Sequence, residues 1–246
     1  MKQILHVSII IFILMFLAGC SGNQKTSEIL QSNSATIISR DYIDLAKLLI
    51  KYKKILDLRN PNLSDKNLSN EIIYDIKNNT NHINLLNNSD HKKYLTKAFE
   101  KDTKYRSNYL ILGIYKMLFK AYNIKEGHHL TALGYDAETF RKAYYTLKVL
   151  RWKIRNAKDD NGKFMFATWQ LNWQLEYNKK YKNISIDTLK NLPSLKGGSE
   201  SILSHSNFNF EVTLSLMIDR VQNSLKAMGE EPLNLSISAM KAIILL

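Results

Sequence analysis

The residues whose types and spacing could do chemistry gather in the second half of the chain. Arg141, Tyr145, Lys148, Trp152 and Arg155 follow one another at steps of three and four, which places them on one face of an α-helix. Guanidinium groups match the geometry of phosphate and carboxylate, and rings between them can stack on apolar parts of a ligand. The face is expected to take an anionic ligand or a protein partner. The competing expectation is a solvated helix surface whose rings pack beneath neighbouring loops. Trp169, Trp173 and Tyr177, four residues apart, form a second aromatic stripe among Gln170, Asn172, Gln174 and Asn178. Aromatic stripes at helical spacing are more often core than binding site. If exposed, this one would offer polar or carbohydrate contacts.

Signals for catalysis and metal binding are weaker. Gly127-His128-His129 invites a metal reading with Glu126 or Asp136, but adjacent helical histidines point about 100° apart, which makes chelation awkward. There is no His-Glu-x-x-His, and no metal is expected. Ser204-His205-Ser206 lacks a nucleophile elbow, and Gly197-Gly198-Ser199-Glu200-Ser201 is not Gly-x-Ser-x-Gly. No glycine loop for phosphate is present, so no cofactor is expected. Asp136, Glu138 and Glu176 are the types an acid-base enzyme uses, although no spacing selects them.

The elements that must position these residues read as helices. Near Ser39 or Asp41 a first helix is expected, with Ile43, Ala46, Leu49 and Ile50 alternating against solvent-facing Lys53 and Lys54, stopped by Asn60-Pro61-Asn62. Ser64 is the expected cap of a second helix with a Leu68, Ile72, Ile73, Ile76 stripe. Asp90 caps a third. A helix over about 103–122, nearly apolar from Tyr109 to Phe119, reads as central and buried. Asp136 starts a long helix to about Asn156, with Ala143, Leu147, Leu150 and Ile154 facing inward. Asp159 to Gly162 is a turn, and Phe164 to Tyr181 is expected to be helical, with a short strand at Phe164 to Phe166 as the alternative. Pro193 to Ser206 reads as loop. A helix from Asn209 to Met228 stops at Gly229, and Ser236 or Ser238 starts a short apolar C-terminal helix, Met240 to Leu246, expected to dock in the core. The expected architecture is all-α, an irregular bundle of about seven to nine helices in a single domain over residues 37–246.

The N-terminus carries the most specific motif. Met1-Lys2 gives a short positive region, an apolar run follows from Ile4 to Phe16, and Leu17-Ala18-Gly19-Cys20 comes next. The run falls short of the roughly 18–20 apolar residues that a spanning helix needs, so it reads as a signal sequence. Leu17-Ala18-Gly19-Cys20 resembles the lipobox of bacterial lipoproteins. The resemblance implies that residues 1–19 are a cleaved signal peptide and that Cys20 carries a diacylglycerol as the mature N-terminus. It also implies attachment to a membrane through that lipid. Each buried acyl methylene contributes about 0.8 kcal/mol, so two or more chains make a lasting anchor. Ser21 after the cysteine favours the outer membrane, facing the periplasm, if the bacterium is Gram-negative. Residues 20–36, small and polar, read as a flexible tether. Cys20 is the only cysteine, so the mature domain can form no internal disulfide.

Charge bounds the partner. Lys and Arg number 35 against 22 Asp and Glu, a net charge of +13. An exported protein rarely meets nucleic acid, so an envelope protein or an anionic envelope polymer is the expected partner. Lys, Asn and Ile are also encoded by A/T-rich codons, so nucleotide composition alone can raise the charge. Asp65-Lys66-Asn67-Leu68-Ser69 resembles the extended sequon of bacterial N-glycosylation, which would place a glycan on Asn67. The expected function is a lipid-anchored, non-enzymatic accessory or scaffold that binds another envelope component. An envelope hydrolase and an exclusion or immunity lipoprotein are the alternatives.

Overall fold

The computed structural model describes residues 32–127, 129, 131–180, 185–198, 200–203 and 208–244. Among them the fold is all-α: α1 (Asn33–Arg59), α2 (Lys66–Asn78), α3 (His91–Ala98), α4 (Arg106–Ala121), α5 (Ala137–Asn156), α6 (Asn172–Lys180), α7 (Ile186–Lys190), α8 (Pro193–Lys196), α9 (Phe208–Ala227) and α10 (Ile237–Ile244). Two of these, α7 and α8, are single turns. None of the described helices is long and apolar enough to cross a membrane. Cys20 and the rest of the lipobox lie outside the described residues, as do His128, Ser199 and Ser204-His205-Ser206.

Helix α1 starts earlier than the expected Ser39 or Asp41. Ser32 caps it, its hydroxyl accepting the Ala35 N–H at 3.2 Å, and Ala35 and Ile38 are already core residues. The tether expected to reach residue 36 is therefore helical from Asn33. Of the expected inward residues, Leu49 is buried and Ala46 and Ile50 pack against the core, whereas Ile43 is 48% exposed; Tyr42, Leu45, Tyr52 and Leu56 complete the buried face. Lys53, expected in solvent, is fully buried. Its ammonium donates to Asp57 at 2.6 Å, to Ser69 Oγ at 2.7 Å and to the Asn108 side-chain oxygen. Three donors meet three acceptors, which is what makes the burial tolerable. Asp65 rather than Ser64 caps α2, accepting the Leu68 N–H at 2.8 Å.

Helix α9 packs most extensively on α1 and also on α5, while α10 lies against α5. Asp41 on α1 accepts from Asn223 and Ser224 on α9 at 2.9 and 3.0 Å, and Tyr122 completes the cluster at 2.8 Å from Ser224 Oγ. Burial pushes the Asp41 carboxyl above its ordinary value, against the opposing pull of those hydrogen bonds and of Arg220. Helix α4 is the buried central helix expected, with Leu110, Ile111, Leu112, Ile114 and Leu118 in the core. Asp90 and Asp136 cap α3 and α5 as expected, and Gly229 ends α9 at φ +81°.

The segment before α6 departs from the expected helix. Residues 157–171 are irregular, with a single antiparallel bridge between Lys158 and Phe164. Side chains take the groups a helix would have used. Asn60 receives the Ala167 N–H at 2.7 Å and donates to its carbonyl at 3.2 Å, and Asn172 receives the Phe164 N–H at 2.9 Å. The single turn at Pro193–Lys196 likewise replaces part of an expected loop.

Candidate functional site

Helix α5 buries Ala143, Leu147, Leu150 and Ile154, so the opposite side faces outward. The five residues predicted for that side do not stay together. Tyr145 is only 3% exposed and packs edge-on against Tyr144, because helix neighbours enclose α5 on more than half its circumference. Arg141 is neutralised by Glu138 at 2.9 Å and Glu230 at 3.1 Å. Lys148, Trp152 and Arg155 remain, and they line one groove of about 480 Å³ with Arg151, Glu211 and Ile237.

Two cations in this region escaped the sequence reading. Arg151 donates to Ser215 Oγ at 3.0 Å and approaches Glu211 at 4.0 Å. It continues the three- and four-residue steps of Lys148 and Arg155, so periodicity alone could have found it. Lys241 comes from α10, with its ammonium 3.9 Å from the Trp152 ring centroid, and no local pattern announces it. Burial first, and Lys241 second, push the nearby Lys153 ammonium below its ordinary value. Lys148, Arg151 and Arg155 line the groove with Trp152, Lys241 lies over that ring, and Glu211 is the one carboxylate in the lining among the described residues. Among the described residues, Lys148, Arg155 and Lys241 make no ion pair. Their partners are rings: Lys148 lies over Tyr144 at 5.2 Å and Arg155 over Trp169 at 4.5 Å.

That last contact joins the two candidate sets. Trp169 precedes α6, while Trp173 and Tyr177 lie one turn apart on it, and all three line a second open groove of about 630 Å³. Gln170, Gln174, Asn178 and Leu189 complete its lining. Two carboxylates fix this wall. Glu200 accepts the Asn172 and Trp173 N–H groups at 3.2 and 3.0 Å, neutralising the first turn of α6. Glu176 accepts the Ser194 hydroxyl at 2.6 Å and its N–H at 3.2 Å, tying α6 to α8. The Trp173 indole N–H is buried with no hydrogen-bond partner among the described residues.

The catalytic candidates are held in structural contacts. Asp136 caps α5 through the Glu138 N–H and hydrogen-bonds the Thr139 hydroxyl; Glu138 pairs with Arg141 and Lys142; Glu176 holds Ser194. A serine–lysine pair does exist in Ser69 and Lys53, but the lysine donates to Ser69 Oγ at 2.7 Å and the serine hydroxyl is directed to the Asn108 side-chain oxygen at 3.1 Å, so the serine proton is not aimed at the amine. Burial pushes the Lys53 ammonium below its ordinary value, against the pull of Asp57. His129 sits 2.9 Å from the Asn123 amide nitrogen and edge-on to Tyr135. Among the described residues no group of three His, Cys, Asp or Glu side chains could hold a metal. Asn67 is exposed in the first turn of α2, and Asp65 of its sequon is the helix cap.

Comparison with known proteins finds no matching family model, curated protein or solved structure.

Proposed function

We propose that this chain is a lipid-anchored envelope protein, attached through Cys20, whose basic face on α5 docks an anionic envelope component without catalysing a reaction. The observation that carries the reading is the imbalance around Trp152 among the described residues: four cations against Glu211, with Lys148, Arg155 and Lys241 resting on aromatic rings rather than carboxylates. Cations over rings keep their hydration and their charge available, so an incoming phosphate or carboxylate displaces water rather than an existing partner. The engagement of Asp136, Glu138 and Glu176 in caps and pairs weighs against the hydrolase alternative. Lipid attachment rests on the Leu17-Ala18-Gly19-Cys20 motif.

In-cell crosslinking of the anchored protein, followed by affinity capture and mass spectrometry, tests this reading. One envelope component should be captured by the natural chain and lost from a Lys148→Glu/Arg155→Glu variant. Labelled palmitate should enter the natural chain and not Cys20→Ala. Capture that survives the charge reversal would overturn the docking face, and label in Cys20→Ala would overturn the anchor.

A further inference from the structure

We propose that the groove of Trp169, Trp173 and Tyr177 is a glycan subsite, continuous with the basic face, for a polysaccharide strand bearing carboxylate or phosphate groups. This rests on the docking reading above and names the chemistry of what is docked. The sequence repeats an aromatic–amide doublet every four residues: Trp169-Gln170, Trp173-Gln174 and Tyr177-Asn178. All six side chains line the same groove, although the first doublet lies outside the helix. Four residues along a helix advance about 6 Å, close to the length of one pyranose unit in a strand.

The two halves of the doublet suit the two halves of a sugar. Rings accept the apolar C–H face of a pyranose, and an amide supplies both a donor and an acceptor to neighbouring hydroxyls. Gln174 spends its oxygen on the Leu171 N–H at 3.0 Å, which leaves its amide nitrogen as a donor. An acyl chain would want an unbroken apolar lining, and the three amides deny it that. Among the described residues no charged side chain lines this groove, and the nearest cation marked by a contact to it is Arg155, stacked 4.5 Å from the Trp169 centroid at its edge. A sugar on the rings would then carry its anionic group towards Arg155, Arg151 and Lys148. The wall is preorganised by the Glu200 and Glu176 contacts, so little ordering cost falls on binding.

The chain reports on itself, because its three tryptophans, Trp152, Trp169 and Trp173, all line these two grooves. The full lipidated chain in detergent micelles is titrated with oligogalacturonides, their methyl esters and phosphorylated core oligosaccharide from lipopolysaccharide, while tryptophan emission is followed. A saturable change is expected with at least one acidic oligosaccharide, and whichever binds identifies carboxylate or phosphate as the recognised group. Tyr177→Ala and Asn178→Ala should each weaken it, the former at least tenfold, with unchanged thermal melting for the exposed Asn178 variant. Arg155→Gln should make acid and ester bind alike. Absence of any saturable change, while charge-dependent crosslinking persists, would overturn the glycan subsite and leave the docking face standing. Where the galacturonides bind, equal binding of acid and methyl ester by the natural chain would overturn the link to Arg155; where the phosphorylated oligosaccharide binds, equal binding of its dephosphorylated form would do so.

Discussion

Between α1, α2 and α4 the chain buries a cation among everything it requires; along α5 and α10 it displays cations resting on rings. Lys53 gives all three of its hydrogens to Asp57, Ser69 and Asn108, and has no exposed surface. Arg155 is exposed and lies over the face of Trp169, with no ion pair among the described residues. Desolvating an ammonium costs several kcal/mol, so the first arrangement survives only where each partner is in place. A surface cation over a ring gains about 0.5–1 kcal/mol and can exchange water for a ligand at little cost. The same residue classes therefore serve cohesion in one region and availability in the other, and the partner's identity, not the cation, distinguishes them.

The comparison breaks most visibly at Asp57. Asp57→Ala leaves Lys53 buried without its counter-charge, and a loss of about 3–5 kcal/mol is expected in urea denaturation, whereas Lys53→Met with Asp57→Leu, which removes both charges, should cost less. A loss below about 1 kcal/mol for Asp57→Ala would show that the pair does not hold the core. On the other surface, Lys148→Glu/Arg155→Glu should cut partner capture at least tenfold, about 1.4 kcal/mol, while stability falls by about 1–2 kcal/mol, the two cation–ring contacts being lost together. Arg141→Gln sharpens the contrast. Its cation is spent on Glu138 and Glu230 at a partly exposed site, so stability should fall by about 0.2–1 kcal/mol and capture should not change.

The smallest effect concerns pH. Burial chiefly, opposed by Asp90, pushes His91 below its ordinary 6.5. On acidification the unfolded chain takes up a proton that the folded chain resists, so stability falls as pH drops through 6.5. His91→Gln should flatten that part of the stability–pH curve, measured by urea midpoints across mildly acidic pH. An unchanged slope would assign the dependence elsewhere.

Features governed by neighbours in sequence were legible from the chain alone. Asp90 and Asp136 cap where their positions before apolar periodicity imply, Gly229 stops α9, and the inner face of α5 follows the 3.6-residue period. Features decided by distant partners were not. Lys53 looks like a solvent residue until Ser69 and Asn108 are brought to it from α2 and α4. Tyr145 lies at the spacing of a ligand face, yet neighbouring helices cover it. Residues 164–171 have helical spacing, but Asn60, more than a hundred positions away, captures the backbone at Ala167. The candidate site divides the same way: Lys148, Trp152 and Arg155 follow from periodicity, whereas Lys241 and the Arg155–Trp169 stack exist only through tertiary packing.

The most direct test of the availability of these cations sets two charge reversals side by side in the anchored protein. Crosslinking yield to the captured component is measured for Lys148→Glu/Arg155→Glu and for Arg141→Glu, against the natural chain. If the ring-backed cations are the docking surface, the first variant loses the component and the second retains it. Equal retention, or loss only with Arg141→Glu, would contradict the assignment of the face.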